Sequence, residues 1–380
     1  VELNQDLPPS PTAIAGHDDP CVILGGRFGQ WFKGIQKKDH DRAVTIAFSI
    51  LQAKGGMVRP DEVIMRESLR KTFKTLTTKP GPIESTDLPD REILDRAGVS
   101  STASEETIIR ELKRTVKEIV RSQTYNTEAE SIAPLFPSTS ANYNNTRSKA
   151  GTVGEILSHP RLMQGLKDAE KLVDVHTEGT GRSTRFVYDD SKLIEKTTEL
   201  HRRIRMEAVN EPATVKLVGL AEALKVRVIS KGPPLTYAAL QPVQKFMWKL
   251  VRQHPSGCGR LVGEEISAEF LCRQIGVLRE EEAFVSGDYK AATDNLLSLV
   301  SNTIAYAIAE ETSMDLTTAE LLVRSLTENL IEDPDHPGVV DKMKFQENGQ
   351  LMGAITSFPI LCIAKIAICR WSREVSCRRR

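Results

Sequence analysis

Three short stretches of this sequence hold residues whose types and spacing could do chemistry. The first is Ala283 to Leu296, AFVSGDYKAATDNL, in which Asp288 ends a short apolar run and Asp294 follows six residues later. A carboxylate at the end of a strand is a hard oxygen ligand at a sheet rim and suits Mg²⁺ or Mn²⁺. Asp294 could turn back toward the same pocket and meet a sugar hydroxyl. Equally, Asp294 could cap the following helix and Asp288 could sit in a turn. The second is Leu224 to Pro233, LKVRVISKGP, where apolar and basic residues alternate. Period-2 alternation predicts a half-buried strand with Lys225, Arg227 and Lys231 on one face. Aligned cations can neutralise a triphosphate, although a solvated strand face has the same pattern. The third is Gly349 to Pro359, GQLMGAITSFP, in which Gly353, Thr356 and Ser357 precede a strongly apolar stretch. Glycines permit a close backbone approach, and a Gly/Ser loop before a buried helix can offer backbone groups to a nucleotide. A plain loop before a core helix reads the same way.

The elements that would carry these residues follow from periodicity. Leu296, Leu297, Val300, Ile304 and Ile308 mark a helix after Asp294, and Pro359 suits the first turn of a helix running through Ile360 to Trp371. Near the N-terminus, CVIL at 21–24 is a candidate strand before Gly25-Gly26-Arg27-Phe28-Gly29, which lacks the spacing of a phosphate loop. Ala43, Val44, Ala47, Ile50 and Leu51 recur at helical spacing up to Gly55-Gly56. Residues 75–95 read as loop. Thr102 to Glu105 resembles a capping box for a helix with Ile108, Ile109, Leu112, Val116, Ile119 and Val120 on its apolar face. Residues 122–151 are dominated by Ser, Thr, Asn and Ala and predict an exposed or mobile segment. Ser191 to Ala208 returns to helix, with Leu193, Ile194, Leu200 and Ile204 inward. The pattern is that of a mixed α/β (α+β) chain.

Composition excludes some classes. The chain has 380 residues, 40% of them hydrophobic and 27% charged, which is ordinary for a globular protein and too apolar for general disorder. No apolar run approaches the ~18–20 residues that span a bilayer, and residues 1–20 look loose and lack a secretory pattern. Six cysteines form no CxxC pair, which argues against a structural zinc site or a disulfide framework and fits a reducing compartment. Net charge is zero, but residues 201–260 carry eleven basic against three acidic residues, and residues 261–335 carry four against sixteen. A basic block beside an acidic one suits a protein that holds phosphates and concentrates divalent cations, or simply two solvated surfaces.

Taken together, a cationic strand, Asp-x5-Asp and a Gly/Ser loop before a buried helix follow the order of motifs F, A and B of viral RNA-dependent RNA polymerases. KVRVISKGP, SGDYKAATDNL and GQLMGAITSFPILCIA resemble the narnavirus and ourmiavirus-like (botourmiavirus) members, over about residues 185–375. The resemblance implies a right-handed polymerase in the host cytoplasm. Residues 21–280 would be fingers, with motif F at 224–233. Residues 281–380 would be a partial palm with motif A at 283–296 and motif B at 349–371, and the thumb would be absent. It further implies that Asp288 binds the catalytic Mg²⁺ or Mn²⁺ and Asp294 senses the ribose 2′-OH. Lys225, Arg227 and Lys231 would hold the nucleoside triphosphate, and Gly353, Thr356 and Ser357 would shape the loop at the nascent pair. RNA template, nascent strand and NTPs are the implied partners.

Two departures qualify this expectation. Lys365 stands where the family has an Asn that partners the ribose-sensing Asp. No Gly-Asp-Asp, the motif C hairpin that supplies a second carboxylate, occurs in these residues. Tyr188-Asp189-Asp190 is only a superficial substitute. The expectation is a truncated or split-palm polymerase, inactive alone and completed by a second polypeptide bearing that motif. The competing expectations are a non-catalytic viral RNA-binding protein and a host-interaction protein that uses residues 122–151.

Overall fold

The computed structural model describes residues 58–81, 104–127, 137–164, 174–178, 185–189, 191–223, 225–254 and 291–378, with scattered helical positions between 31 and 49. Residues 1–20, the candidate strand at 21–24, the apolar positions read at 43–51, Thr102, and the whole of 255–290, including Asp288, lie outside the described residues. The described elements, in order, are α1 (Glu62–Leu76), α2 (Glu105–Val120), α3 (Gly151–Ser158), the pair β1 (Asp174–Glu178) and β2 (Arg185–Asp189), α4 (Ser191–Asn210), β3 (Thr214–Glu222), β4 (Lys225–Lys231), α5 (Pro234–Ala239), α6 (Gln241–Gln253), α7 (Ser298–Glu311), α8 (Leu316–Thr327), β5 (Leu330–Ile331), β6 (Lys344–Phe345) and α9 (Ser357–Arg378). Helices dominate, and the strands form one two-stranded and one four-stranded sheet, the latter in the order β4-β3-β5-β6. The architecture is α+β.

Contacts divide the chain into two compact units, Val1–Thr72 with Val218–Ile229, and Phe73–Leu217 with Ser230–Arg380. In the smaller unit, Asp61 caps α1 by accepting the Ile64 amide at 2.9 Å. Gly219 on β3 lies close enough to Met65, Leu69 and Val226 that an added Cβ would meet them at ordinary contact distance. In this unit, the β3–β4 hairpin therefore packs on α1.

The larger unit is built around a helical core. Ser104 caps α2 by accepting the Thr107 amide, so the helix begins at Glu105, inside the box read from the sequence. Leu112, Val116, Ile119 and Val120 of α2 are buried, as the periodicity predicts, whereas Ile108 is only half-buried. They pack with Ile304 and Ile308 of α7, Leu322 and Leu326 of α8, Phe246, Met247 and Leu250 of α6, and Ile360 and Ile363 of α9. Helix α4 contributes Ile204 and Ala208 to this core, with Leu200 half-buried. Burial of this kind is the main stabilising term, about 25 cal/mol per Å² of apolar surface removed from water. Strand β5 pairs parallel to the start of β3 through Thr214↔Leu330 and Val215↔Ile331, and β6 pairs antiparallel to β5.

One expectation holds in part and one is corrected here. Most of the described part of 122–151 is exposed, Ser138, Thr139, Ser140, Asn144 and residues 146–149 among it, but it is anchored within the larger unit: Asn142 is buried, its backbone amide donates to the Asn145 carbonyl, the Tyr143 amide donates to the Gly232 carbonyl, and Tyr125 is in the core. Helix α9 is not apolar all round. Phe358, Lys365 and Ile368 form an exposed strip along it.

Candidate functional site

The motif-like stretches at 291–296, 230–232 and 349–357 all belong to the larger unit, and the backbone of the third is stitched to the other two. Residues 291–296 form consecutive turns, entered through Ala291 in the left-handed region (φ 47°) and closed by the Asn295 amide donating to the Ala291 carbonyl. From the other side, the Gln350 amide donates to the Thr293 carbonyl at 3.0 Å. Gly349 (φ +71°) lies so close that a Cβ there would sit 2.5 Å from the Asp294 carbonyl oxygen. Only glycine meets both demands, a left-handed backbone and no side chain toward Asp294.

Asp294 is half-buried, and that burial pushes its carboxyl above the usual range, opposed by the Thr293 hydroxyl, which donates to Asp294 Oδ1 at 3.1 Å. It does not cap α7. That helix starts at Ser298 behind Leu297, with no side-chain cap, so the capping alternative for Asp294 is removed. Leu296 and Val300 pack on the core edge, and Ile304 and Ile308 are fully buried.

Buried amides fix the glycine loop from below. Gln346 donates through Nε2 to the carbonyls of Leu326 and Gly349, both at 3.0 Å, and its Oε1 accepts from Asn329 at 2.8 Å. Gln350 accepts from the Ser301 hydroxyl and donates to the Ser357 carbonyl at 2.9 Å. Gln244 of α6 donates to the Ile355 carbonyl at 2.8 Å. None of these amides stood out in the sequence, because a single buried Gln has no period and no motif. Thr356 and Ser357 are buried, and neither hydroxyl has a hydrogen-bond partner. An unpaired buried hydroxyl is costly, about 1–3 kcal/mol, and loops that keep one are associated with binding or movement.

The junction with β4 is equally close. Gly353 donates its amide to Ser230 Oγ at 2.9 Å, and a Cβ at Gly353 would lie 1.9 Å from the Ser230 carbonyl oxygen. Ser230 is the buried residue of β4, opposite in register to the basic positions. Beyond it, Gly232 leaves room for the Tyr237 hydroxyl, and burial together with the Glu211 carboxylate pushes that phenol up, opposed by Ser230. Glu211 accepts from the amides of Leu235 and Thr236 and from the Thr236 hydroxyl, at 3.0, 2.7 and 2.8 Å. These contacts leave a cavity of about 210 Å³ between the loops, lined by Ser140, Asn142, Lys231, Tyr237, Gly353 and Ile355 among others.

The expected cationic strand is present as Lys225–Lys231, but its cations do not act alike. Lys231 lines the cavity. Arg227, in the smaller unit, is paired with Glu222 at 3.0 Å across its own hairpin, and Lys225 is exposed near the turn. Asp189 closes β2 opposite Asp174, directly ahead of α4. Asp288 lies outside the described residues. Among the described residues no group of three His, Cys, Asp or Glu side chains could hold a metal ion, and no helix is long and apolar enough to cross a membrane.

Comparison with known proteins adds one relation. No family model matches the chain. Over 408 aligned residues it is 31% identical to the RNA-dependent RNA polymerase of Ourmia melon virus (isolate Melon/Iran/VE9), an alignment that takes in 99% of this chain and 43% of that protein. The chain thus spans less than half the length of the curated relative it matches.

Proposed function

We propose that these residues are the fingers and part of the palm of a viral RNA-dependent RNA polymerase of the ourmiavirus-like group, acting in template-directed nucleotidyl transfer to an RNA 3′-OH. The observation that carries this reading is the convergence of β4 and the 291–296 turn on the 349–357 loop, through Ser230–Gly353 and Thr293–Gln350, in a chain similar along its length to such an enzyme. Three stretches far apart in sequence meet at one loop, as a site that holds triphosphate, sugar and base together requires.

In this reading Asp294 receives the ribose 2′-OH and Lys231 faces the triphosphate across the cavity. The unpaired Thr356 and Ser357 hydroxyls give the loop a reason to rearrange when a base pair arrives. Asp288 is the proposed ligand for Mg²⁺ or Mn²⁺, which when bound stabilises the attacking and leaving oxygens of in-line phosphoryl transfer. Because no Gly-Asp-Asp occurs in the 380 residues, the second carboxylate must be supplied from outside them.

The test is incorporation of labelled nucleotide on a primed RNA template. The 380 residues alone should incorporate none. Addition of a segment carrying Gly-Asp-Asp, in trans or as a fusion, should give synthesis that Asp288→Ala lowers by at least about a thousandfold. Robust synthesis by the chain alone would overturn the need for a carboxylate from outside these residues, and restored synthesis indifferent to Asp288→Ala would overturn the assignment of Asp288 as the metal ligand. The competing non-catalytic RNA-binding reading predicts no synthesis with or without the added segment, an RNA affinity untouched by Asp288→Ala, and binding that weakens steeply with salt.

A further inference from the structure

Helices α6 and α9 pack side by side and present a second chemically distinctive surface. Helix α6 buries Val243, Phe246, Met247, Leu250 and Val251, and the opposite face carries Lys245, Trp248, Lys249 and Arg252 at i, i+3, i+4 and i+7. Trp248 is half-buried, its ring 5.5 Å from that of Phe358 in the first turn of α9, and Phe358 is itself 55% exposed. The Arg252 guanidinium lies over the Trp248 ring, 6.0 Å from its centroid. Helix α6 contains no acidic residue, and α9 has none before Glu374. Among the described residues, no carboxylate pairs with Lys245, Lys249 or Arg252, although Arg114, Arg202, Arg203, Arg227 and Arg370 are all engaged by Glu.

We infer that this ridge is a stacking platform for single-stranded RNA, with bases laid on Phe358 and Trp248 and phosphates held by Lys245, Lys249 and Arg252. Two neighbouring ring faces flanked by three cations that no carboxylate among the described residues pairs offer what a base and its phosphate need together. Protein partners disfavour lysine at the centre of an interface, whereas a nucleic-acid strand presents one phosphate for every base and favours cations interleaved with rings. A duplex hides its base faces in the helix stack, so the exposed ring selects for single strands. The ridge stands on side chains that the nucleotidyl-transfer reading does not use, so the two are tested separately.

The experiment is fluorescence anisotropy of a labelled oligouridylate of about twelve nucleotides, within the site sizes such surfaces cover, against a duplex of equal length and against heparin. The parent chain should prefer the single strand. Phe358→Ala should weaken single-strand binding about tenfold and leave duplex binding unchanged. Lys245→Gln with Lys249→Gln, at exposed positions where folding is not at stake, should lower the salt slope of single-strand binding by about 1.4. Equal affinity for single strand, duplex and heparin, or no effect of either variant, overturns the inference. Loss of single-strand binding in the variants supports it whether or not the chain, given a Gly-Asp-Asp segment, synthesises RNA. Unchanged binding beside normal synthesis removes the ridge and keeps the polymerase reading.

Discussion

At the scale of single residues, the two loop glycines that look alike in the sequence answer different constraints. Gly349 needs its left-handed backbone and its proximity to Asp294, whereas Gly353 is fixed solely by its approach to Ser230. Gly338, by contrast, is left-handed (φ +78°) with open space around it. Gly338→Ala should cost about 1 kcal/mol from backbone strain alone. Gly353→Ala should cost about 2 kcal/mol from overpacking and displace the loop, which urea titration of both variants will rank. Asp294 offers a second case. Its folded pKa is raised above 3.8, so the folded state binds the extra proton and stability falls as pH rises from 3.8 through the folded value. Asp294→Asn removes that loss, and the expected result is a higher melting temperature at pH 7. In the proposed polymerase the same change lowers discrimination between ribose and deoxyribose triphosphates, which a competition assay measures.

At the scale of elements, what was legible in the sequence is what has a period. The α2 face, Ile204 of α4, the extent of β4 and the Ile304–Ile308 stripe of α7 came from spacing alone and are kept, whereas burial along β4 does not alternate: Arg227 and Lys231 are half-buried like Val226 and Val228. Helix α1 carries a weaker signal: Ile64, Met65, Leu69, Phe73 and Leu76 recur at helical spacing, but of these only Phe73 and Leu76 near its end are buried, and Val63 is exposed. Strands β5 and β6 span two residues each, too short for alternation to register. The contact that locks α2 to α9 was equally invisible, because its partners lie about 260 residues apart. Arg370 donates to the Glu111 carboxylate at 2.7 Å and to its carbonyl at 3.0 Å, to Thr115 Oγ1 at 2.9 Å and to Glu374 at 2.9 Å. Burial pushes the Glu111 carboxyl up, but hydrogen bonds from Arg370 and Arg110 outweigh it and hold the group below its usual range. Removing one member of such a buried set strands the others. Arg370→Ala should therefore cost about 3 kcal/mol in urea titration, and Arg370→Met with Glu111→Leu should recover most of that loss. A double variant no more stable than the single one would mean that packing, not charge, joins the helices.

At the scale of the whole molecule, the candidate site was legible as chemistry but not as geometry. Residue types and their order named Asp294, Lys231, Gly353 and Ser357, while the groups that hold them together, Ser230, Gln346 and Gln350, are ordinary polar residues whose role arises only on folding. The same distinction governs the response of the fold to acid. His201 of α4 is buried, and that burial, with Arg205 adding repulsion and the Ala238 and Ala239 carbonyls opposing, lowers its pKa to about 4. His254 is shifted in the same direction by partial burial and Arg121. The folded protein thus binds fewer protons than the unfolded chain between pH 6.5 and about 4, so stability is whole above 6.5 and drains away as pH falls through that window. For His201 the loss is on the order of 3 kcal/mol by pH 4. Glu211 acts against it, because burial raises its carboxyl above 4.5 and its protonation in the folded state favours folding on the acid side. Asp294, also raised by burial, acts with Glu211, and the net slope toward acid is still downward because the His201 shift is the large one, with Glu111 and Glu199, held low by arginines, adding to it as pH nears 4.5. Melting temperatures measured from pH 7.5 to 4.5 should therefore fall steadily. His201→Gln, which cannot take up a proton, should flatten most of that fall even if it lowers the melting temperature at pH 7.5. If the variant and the parent decline in parallel, the acid sensitivity resides in groups other than the α4 histidine.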